Sequence, residues 1–223
     1  MLAVVGGKGG VGKTTTTLGV ARALGRAGRR AVAVDADRDA PNLARVADVD
    51  SGDGPGRSRE HVESAASAVD ALAAGASVGA VATPGPDHPE VLVVPGGPAP
   101  SSAYRDALCR VRAHDGPVVV DCPAGAGRDV ALPLGLADRA LVVSTSRPAA
   151  LRDAAKTAAM ADALDTPLVG AVLTRCRAVP DGVGALLGGV PVTAIPPVAD
   201  PLGSRAVAAT YRRVTHRFSR HKG

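Results

Sequence analysis

The chain contains 223 residues, of which 46% are hydrophobic and 21% are charged. This length and composition suit a globular domain with a full-sized core and exclude wholesale disorder. The net charge is +5, but the six basic residues from Arg205 onward exceed that value by one, so residues 1–204 carry a net charge of −1. This distribution argues against a uniformly basic nucleic-acid-binding body. We therefore predict one domain over residues 1–223, with a basic C-terminal tail at residues 212–223.

The first residues and the cysteines favour a cytoplasmic protein. The apolar run at residues 2–5 is far too short for a signal peptide, and no later run approaches the roughly 18 apolar residues of a membrane span. Cys109, Cys122 and Cys176 are widely spaced, odd in number and without a CxxC motif. This pattern argues against a disulfide framework, so we expect the reducing environment of the cytoplasm.

Short apolar segments alternate with helix-length segments along the chain. The apolar segments are rich in β-branched residues, as expected for strands buried on both faces of a sheet. Their alternation with helices predicts an α/β fold, a doubly wound and mainly parallel sheet flanked by helices in three α/β/α layers. The predicted strands are Leu2–Val5, Ala31–Val34, Val91–Val94, Val118–Val120, Ala140–Ser144, Leu168–Leu173 and Val192–Ile195. The predicted helices lie near 14–27, 102–113, 148–164 and 201–219, and the predicted surface loops are Asp50–Arg59 and Thr83–Pro89.

The first predicted strand ends in a glycine-rich segment that opens the first predicted helix. Gly7–Thr14 has the spacing G-x-x-x-x-G-K-[ST] in the strand–helix context that a phosphate-binding P-loop requires. Its glycines allow backbone N–H groups to wrap a phosphate chain at a helix N-terminus. Lys13 is expected to reach the β- and γ-phosphates, and the Thr14 hydroxyl to ligate Mg²⁺. The predicted nucleotide-binding residues of this segment are Gly7, Lys8, Gly9, Gly10, Val11, Gly12, Lys13, Thr14 and Thr15.

A second lysine, Lys8, lies early in the same loop. The string Lys-Gly-Gly-Val-Gly-Lys-Thr resembles the deviant Walker A motif of the ParA/MinD family of ATPases. The resemblance implies ATP and Mg²⁺ as cofactors and a homodimer in the ATP state. It also implies that Lys8 reaches the partner's nucleotide and, together with Lys13, has a catalytic role, because it adds positive charge at the transferring phosphoryl group as an arginine finger does.

The second predicted strand runs into Asp35-Ala36-Asp37, with Asn42 a few residues later. This run resembles switch I of the same family. The resemblance implies that Asp35 holds Mg²⁺ through water and that Asp37 is the catalytic residue that orients or deprotonates the attacking water. Asn42 matches a family position near the dimer interface, whereas we expect Asp39 to be an ordinary solvent-exposed acid.

A later strand ends in the string Asp-Cys-Pro-Ala-Gly at residues 121–125. This string looks like the family's Walker B and switch II, D-x-P-A-G. By that match Asp121 anchors the Mg²⁺ shell, and the Gly125 N–H senses the γ-phosphate and moves on hydrolysis. Cys122 has no partner cysteine, so we expect a small packed hydrophobe there rather than a reactive thiol.

Segments further along the chain are similar to the MinD branch of the family. Residues 137–146 read as a strand that precedes a helix opening with Arg152 and Asp153. Thr174 and Arg175 stand where the family often has Asn-Arg, of which the Asn reads adenine, and Pro196 lies in a segment that replaces Ile-Pro-x-Asp. The resemblance therefore implies that Thr174, Arg175 and Pro196 bind the nucleotide on its base side, with adenine as the base.

The C-terminal segment is predicted to begin a helix at Asp200 and Pro201, as N-cap and first helical residue. Its apolar residues recur at helical spacing and form one stripe: Val207, Tyr211, Val214 and Phe218. We expect this stripe to pack on the domain as far as Val214. Residues 216–222 resemble a truncated form of the membrane-binding helix of MinD proteins, so the tail is predicted to bind an anionic membrane surface. DNA is the less favoured partner.

Together these motifs predict a Mg²⁺-dependent ATPase that acts as an ATP-switched dimer in intracellular positioning, either of the cell division site or of cargo and chromosomes. It would be stimulated by an activating protein of unknown identity and would be cytoplasmic, with peripheral membrane binding through the tail. Three alternatives stay open: a DNA-binding partition protein of the ParA type, a small synthetase of the cobyric-acid or dethiobiotin synthase kind, and a regulatory homologue with little hydrolysis. The absence of a paired-cysteine motif argues against an iron–sulfur carrier.

Overall fold

The computed structural model describes residues 1–26, 30–49 and 68–219, with the backbone alone at 218–219. In this part of the chain, eight strands form one sheet: β1 (Leu2–Gly6), β2 (Ala31–Asp35), β3 (Thr83–Pro84), β4 (Val91–Val94), β5 (Val118–Ala124), β6 (Arg139–Ser144), β7 (Leu168–Leu173) and β8 (Val192–Ala194). Their order in the sheet is β3-β4-β2-β5-β1-β6-β7-β8. Every neighbouring pair is parallel except β3–β4. The predicted α/β fold with a mainly parallel sheet is confirmed.

Helices cover both faces of this sheet because the strands are apolar on both faces. Val4 belongs to the core layer that contains Leu18 and Tyr211, whereas the next residue, Val5, belongs to the layer that contains Leu134. Successive side chains of a strand point to opposite faces, so each strand contributes to two core layers. The helices of the described residues are α1 (Lys13–Gly25), α2 (Leu43–Val46), α3 (described over residues 68–73), α4 (Val78–Val81), α5 (Ser101–Arg112), α6 (Arg128–Leu136), α7 (Pro148–Ala163), α8 (Val183–Leu186) and α9 (Arg205–Ser219).

All of the predicted strands are present, and most of their ends agree within a residue. The main difference is β5, which continues four residues beyond the predicted Val120 to Ala124. Helix α6 was not predicted, because Pro133 and Gly135 interrupt its sequence with two of the poorest helix formers. The predicted loop Thr83–Pro89 contains the short antiparallel strand β3 at its start. The predicted loop Asp50–Arg59 lies outside the described residues.

The predicted start of the last helix at residue 201 is wrong, since α9 begins at Arg205. Asp200 instead closes a turn, in which its Oδ1 accepts the N–H groups of Leu202 (3.1 Å) and Gly203 (2.9 Å). Ser204 occupies the cap position, where its hydroxyl accepts the Val207 N–H at 3.4 Å. An Asx turn and an N-cap use the same short acidic side chain, and the sequence pattern did not distinguish them.

The apolar stripe of α9 packs against α1. Val207, Tyr211 and Val214 are buried, as predicted for this part of the stripe. The Tyr211 hydroxyl is hydrogen-bonded to Thr16 Oγ1 at 3.2 Å, and the tyrosine ring lies so close to Gly19 that a Cβ there would overlap it. The close approach of α9 to α1 therefore depends on the absence of a side chain at Gly19.

We expect Gly19→Ala to lower the free energy of unfolding by about 1–3 kcal/mol, because the added methyl group overpacks the α1–α9 contact. Urea denaturation measures the change. The matched control is Gly135→Ala in α6, where the nearest atom to an added Cβ is 4.0 Å away. This control is expected to leave stability unchanged or raise it by up to ~1 kcal/mol, as alanine does in a helix. Equal effects at the two positions would contradict the packing described for α9.

Candidate functional site

The sequence-predicted site residues lie mainly on the segments that leave the carboxyl ends of β1, β2, β5 and β7. In a parallel sheet these ends meet at one edge, which is where open α/β sheets bind ligands. The segment after β1 is the glycine-rich loop, and the predicted acids lie in or just after two further strands: Asp35 ends β2, Asp37 follows it, and Asp121 lies within β5. The fold therefore brings together side chains that are more than a hundred residues apart in sequence.

The glycine-rich loop leads directly into α1. Gly12 has a φ of 93°, which side chains rarely tolerate, and its carbonyl accepts the Thr16 N–H (2.9 Å) as the helix begins. A Cβ at Gly7 would overlap the backbone of Asp153 in α7. Lys13 is the first residue of α1 and is only 9% exposed. Backbone N–H groups of the loop and of the first helical turn thus lie beside a buried lysine, an arrangement suited to a phosphate chain.

Two buried carboxylates face this loop from neighbouring strands. Asp35 of β2 and Asp121 of β5 are paired in the sheet register and are 2% and 3% exposed. Burial raises the pKa of Asp35 to about 6, against the effect of three backbone N–H donors. Burial, together with the nearby Asp35 carboxylate, raises the pKa of Asp121 to about 7, while Thr14, Lys13 and Thr17 favour its ionised form. The pair is therefore a concentrated negative charge in a poorly hydrated place.

The segment after β2 is organised around Asp35. Its carboxylate accepts backbone N–H groups from Asp37 (3.0 Å), Asn42 (2.9 Å) and Leu43 (2.9 Å). Asn42 Oδ1 in turn accepts the Thr14 hydroxyl at 2.8 Å. One side-chain hydrogen bond therefore links the segment after β2 to the end of the glycine-rich loop, and it uses the hydroxyl that we predicted to ligate Mg²⁺.

The middle of the same segment is held on its outer side by Arg38. Its guanidinium donates to Ser101 Oγ of α5 (2.7 Å) and lies 5.8 Å from the centre of the Tyr104 ring. Asp37 is half-buried, and its carboxylate accepts the Asp39 N–H at 3.3 Å. Asp39 is exposed, as predicted. The part played by Arg38 was not predicted, because its partners come from a helix more than sixty residues away.

The segment after β5 approaches the glycine-rich loop through its backbone. The Gly125 N–H donates to the Gly6 carbonyl at 3.1 Å, and Gly125 has a φ of 101° that favours glycine. Cys122 is 1% exposed, and burial raises the pKa of its thiol. This environment is that of a packed, unreactive thiol, as predicted.

The remaining predicted site residues are placed as follows. Thr174 Oγ1 donates to the Val11 carbonyl at 2.6 Å, and the Arg175 guanidinium donates to the Gly10 carbonyl. Pro196 is partly buried and follows a residue whose N–H is bonded to β7. Lys8 is exposed on the glycine-rich loop. In the structure Thr174 and Arg175 thus contact the loop itself.

Thr17 makes a polar contact with the acid pair, Asp35 and Asp121, and this contact was not predicted from the sequence. Its hydroxyl donates to Asp121 Oδ1 at 3.2 Å, and its side chain is fully buried. A sequence signal was available, since Thr17 lies three residues after Thr14 and so shares its face of α1. Because residues 14–17 are all threonine, the sequence alone did not show which of them point towards Asp35 and Asp121.

The side chains that could act as metal ligands at this site suit Mg²⁺. Thr14, Asp35 and Asp121 offer only oxygen atoms, the ligands that this hard cation prefers. Among the described residues there is no group of three or more His, Cys, Asp and Glu side chains that could hold a metal by themselves. An ion here would need further oxygens from water and from a phosphate chain, which is the usual way in which proteins bind Mg²⁺.

Asp121→Asn is expected to stabilise the metal-free, nucleotide-free protein above pH 7 by about 2–4 kcal/mol. The folded state raises the pKa of Asp121 from 3.8 to about 7, so folding favours the protonated acid. The contribution of protonated Asp121 to the free energy of unfolding is fully present below about pH 4 and is lost as the pH rises through about 7. Urea unfolding at pH 5 and pH 8 measures the difference. A variant less stable than the wild-type protein at pH 8 would contradict this reading.

The surface of α9 beyond the buried stripe is basic. Arg212, Arg213 and Arg217 are exposed, whereas Val214 between them is buried. The side chain of Phe218 and residues 220–223, which belong to the predicted tail, lie outside the described part of the chain. No helix among residues 1–26, 30–49 and 68–219 is both long and apolar enough to cross a membrane.

Curated relatives show sequence similarity over most of the chain. An uncharacterized ATP-binding protein of Methanocaldococcus jannaschii is 28% identical over 181 residues, which are 78% of this chain and 63% of the relative. The septum site-determining protein MinD of Synechocystis is 26% identical over 186 residues, which are 79% of this chain and 65% of that protein. The chain thus spans a little under two thirds of the length of these relatives.

Solved structures share the fold over almost the whole chain. The cell division ATPase MinD of Pyrococcus furiosus is 25% identical with a TM-score of 0.73, and the alignment covers 98% of both chains. The septum site-determining protein MinD of Pyrococcus horikoshii, solved with Mg-ADP, is 22% identical with a TM-score of 0.73 and covers 96% of this chain and 94% of that one. Residues 2–182 match the family described as the CobQ/CobB/MinD/ParA nucleotide binding domain. With its P-loop, its acid pair and this match, the chain belongs to the CobQ/CobB/MinD/ParA family of nucleotide-binding domains.

Proposed function

We propose that the chain is a Mg²⁺-dependent ATPase that works as an ATP-switched dimer in intracellular positioning. The observation that carries the proposal is the buried pair Asp35 and Asp121 beside the P-loop and Lys13. Two buried, adjacent carboxylates destabilise a protein unless a cation or a proton compensates them. Their retention next to a phosphate-binding loop is explained when a metal–nucleotide complex completes the site.

Four residues are proposed to hold the nucleotide complex. Lys13, already desolvated at the start of α1, reaches the β- and γ-phosphates, and the P-loop N–H groups wrap the chain. When bound, Mg²⁺ would neutralise charge on the phosphate oxygens. Thr14 would exchange its hydrogen bond to Asn42 for the metal shell, and Asp35 and Asp121 would face that shell through water. The exchange at Thr14 gives the segment after β2 a direct response to nucleotide binding.

Asp37 is proposed to act in hydrolysis. It lies two residues beyond Asp35, is half-buried, and its N–H is fixed by the Asp35 carboxylate. From this place its carboxylate would orient a water molecule towards the γ-phosphorus and take up its proton. A new P–O bond forms to the water oxygen, the bond to the leaving ADP oxygen breaks, and phosphate leaves. The Gly125 N–H, which donates to Gly6 in the structure, would turn to the γ-phosphate and report its presence.

Lys8 is proposed to complete the site of a second copy. The lysine is exposed on the P-loop and forms no hydrogen bond or ion pair with the described residues. An amine in this position is available to a partner that approaches the same edge of the sheet. Positive charge supplied in trans stabilises the phosphoryl transition state only in the dimer, so hydrolysis becomes dependent on assembly.

The exposed basic side of α9 is proposed to place the dimer on an anionic membrane. The stripe from Val207 to Val214 is occupied by α1, so the contact would come from exposed arginines and from residues beyond the described part of the tail. Each basic residue near an anionic surface contributes about 1 kcal/mol, and two copies in a dimer add their contributions. A weak anchor of this kind binds firmly only in the ATP state.

One assay series tests the enzyme and the surface together. ATP hydrolysis is measured alone, with vesicles containing phosphatidylglycerol, and with duplex DNA, and co-sedimentation is measured with ATP and with ADP. We expect hydrolysis without a second small-molecule substrate, which distinguishes the switch from a synthetase, and vesicle binding in the ATP state. Undetectable hydrolysis under all of these conditions would overturn the proposed enzyme.

Charge reversal separates the membrane from DNA. Arg212→Glu with Arg217→Glu is expected to weaken ATP-dependent vesicle binding by about tenfold or more. Deleting residues 212–223 is less informative, because the deletion removes the buried Val214. The matched control is Arg105→Glu with Arg110→Glu, two exposed arginines of α5, which should bind vesicles as the wild-type protein does. DNA would be the partner if neither the wild-type protein nor the α9 variant bound vesicles and the α9 variant lost DNA binding.

A further inference from the structure

Two neighbouring residues that follow β7 donate hydrogen bonds to consecutive carbonyl groups of the P-loop. Thr174 Oγ1 donates to the Val11 carbonyl at 2.6 Å, and the Arg175 guanidinium donates to the Gly10 carbonyl. Thr174 is 8% exposed, so its hydroxyl makes this bond in a nearly dry environment. These contacts join segments more than 160 residues apart in the sequence.

Backbone hydrogen bonds fix the segment that carries these two donors. The Thr174 N–H donates to the Ser144 carbonyl of β6 (2.9 Å), and the Cys176 N–H donates to the Ile195 carbonyl (2.8 Å). Arg175 between them has a φ of 52°, a left-handed conformation that costs energy for a side chain of this size. The two flanking bonds hold that conformation, and it directs the guanidinium to the loop.

The two carbonyl groups set the direction of two P-loop N–H groups. A trans peptide unit is planar, and its C=O and N–H point in opposite directions. When the Gly10 carbonyl is held by Arg175, the Val11 N–H must point away from Arg175. In the same way, the bond from Thr174 to the Val11 carbonyl turns the Gly12 N–H away from β7. Both N–H groups belong to the stretch that a phosphate chain would contact.

We propose that Thr174 and Arg175 are positioning residues that pre-orient the Val11 and Gly12 N–H groups for the phosphates, and that Thr174 does not read the base. The proposal rests on the proposed nucleotide site in the P-loop. It differs from what the family resemblance implies for this position, where an Asn side chain contacts adenine. A hydroxyl has a single proton to donate, and both acceptors within reach of Thr174 Oγ1 are backbone carbonyls: Val11 at 2.6 Å, the shorter contact, and Ser144 at 3.3 Å.

The test compares a ligand that has a base with one that has none. Affinities for Mg²⁺–ATP and for Mg²⁺–tripolyphosphate are measured by calorimetry or by competition, together with KM and kcat. Thr174→Val, which keeps the shape and removes the hydroxyl, is expected to weaken both ligands by the same factor of about 5–10. Thr174→Ser restores the bond and should return both affinities towards those of the wild-type protein. Arg175→Asn keeps a residue that tolerates the left-handed conformation and should also weaken both ligands equally.

A matched control separates binding from folding. Thr166 is a buried threonine whose hydroxyl donates to the Leu134 carbonyl at 2.9 Å, far from the P-loop. Thr166→Val should lower thermal stability without changing either affinity. Weaker ATP binding with unchanged tripolyphosphate binding in Thr174→Val would mean that Thr174 reads the base. Wild-type affinities for both ligands in that variant would mean that the contact with the Val11 carbonyl does not contribute to binding. Either result overturns the inference, whereas failure of the wild-type protein to bind ATP would overturn the proposed function instead.

Discussion

Replacing Lys13 by alanine is expected to weaken Mg²⁺–ATP binding by about 100-fold or more, because a charge-assisted contact with the phosphates is lost in a desolvated site. Lys13 is only 9% exposed, and its charge favours the ionised form of Asp121. The variant therefore loses a phosphate contact. It also removes positive charge that offsets the negative charge of Asp35 and Asp121. Calorimetric titration with ATP in the presence of Mg²⁺ measures the loss.

The control for this substitution is Lys156→Ala. Lys156 lies on α7 with its side chain 71% exposed and is paired with Asp153 at 3.3 Å. A surface pair of this kind contributes little to stability, so the control should bind ATP as the wild-type protein does. An affinity in Lys13→Ala within threefold of the wild-type value would contradict the placement of the phosphates in the Gly7–Thr14 loop.

Lys8→Ala is expected to leave ATP affinity nearly unchanged and to lower kcat by about 10³-fold, the scale at which an arginine finger acts. The side chain is exposed and unpaired among the described residues, so the substitution should not alter stability by more than ~0.5 kcal/mol. Binding and catalysis separate because the proposed partner of Lys8 is the nucleotide of a second copy. The measurement pairs ATP affinity with steady-state hydrolysis at saturating ATP.

Two outcomes would contradict that role for Lys8. Wild-type hydrolysis in Lys8→Ala would make it an ordinary loop charge. A loss of affinity as large as that in Lys13→Ala would instead place Lys8 at the nucleotide of its own chain. Thermal melting of both variants in the absence of nucleotide excludes an effect of unfolding.

The core of the site could be predicted from sequence because each of its parts is local. The P-loop is one continuous string, and Asp35 and Asp121 come directly after the apolar runs that predict β2 and β5. Once the sheet is parallel, its carboxyl ends must meet, and the register confirms that Asp35 and Asp121 are direct neighbours. Local pattern and sheet topology were sufficient for these residues.

The contacts that hold the site in shape could not be predicted in the same way. Arg38 reaches α5, and Thr174 and Arg175 reach the P-loop from the far end of the chain. Such contacts depend on loop conformations, including the left-handed backbone at Arg175, for which the sequence carries no strong signal. Helix α6 was missed for a related reason, since tertiary packing overrides the weak helix propensity of its proline and glycine.

The most direct test of the central claim, a site completed by a second copy, mixes two variants that are each expected to be inactive. Lys8→Ala lacks the lysine that it would give to a partner, and Asp37→Ala lacks its own water-orienting carboxylate. In a mixed dimer, the Lys8→Ala protomer keeps its Asp37 and receives Lys8 from the other copy, so one site is complete. Equal amounts should restore about a quarter of the wild-type hydrolysis rate, since about half of the dimers are mixed and each has one working site. A mixture that stays as inactive as its components would contradict the account.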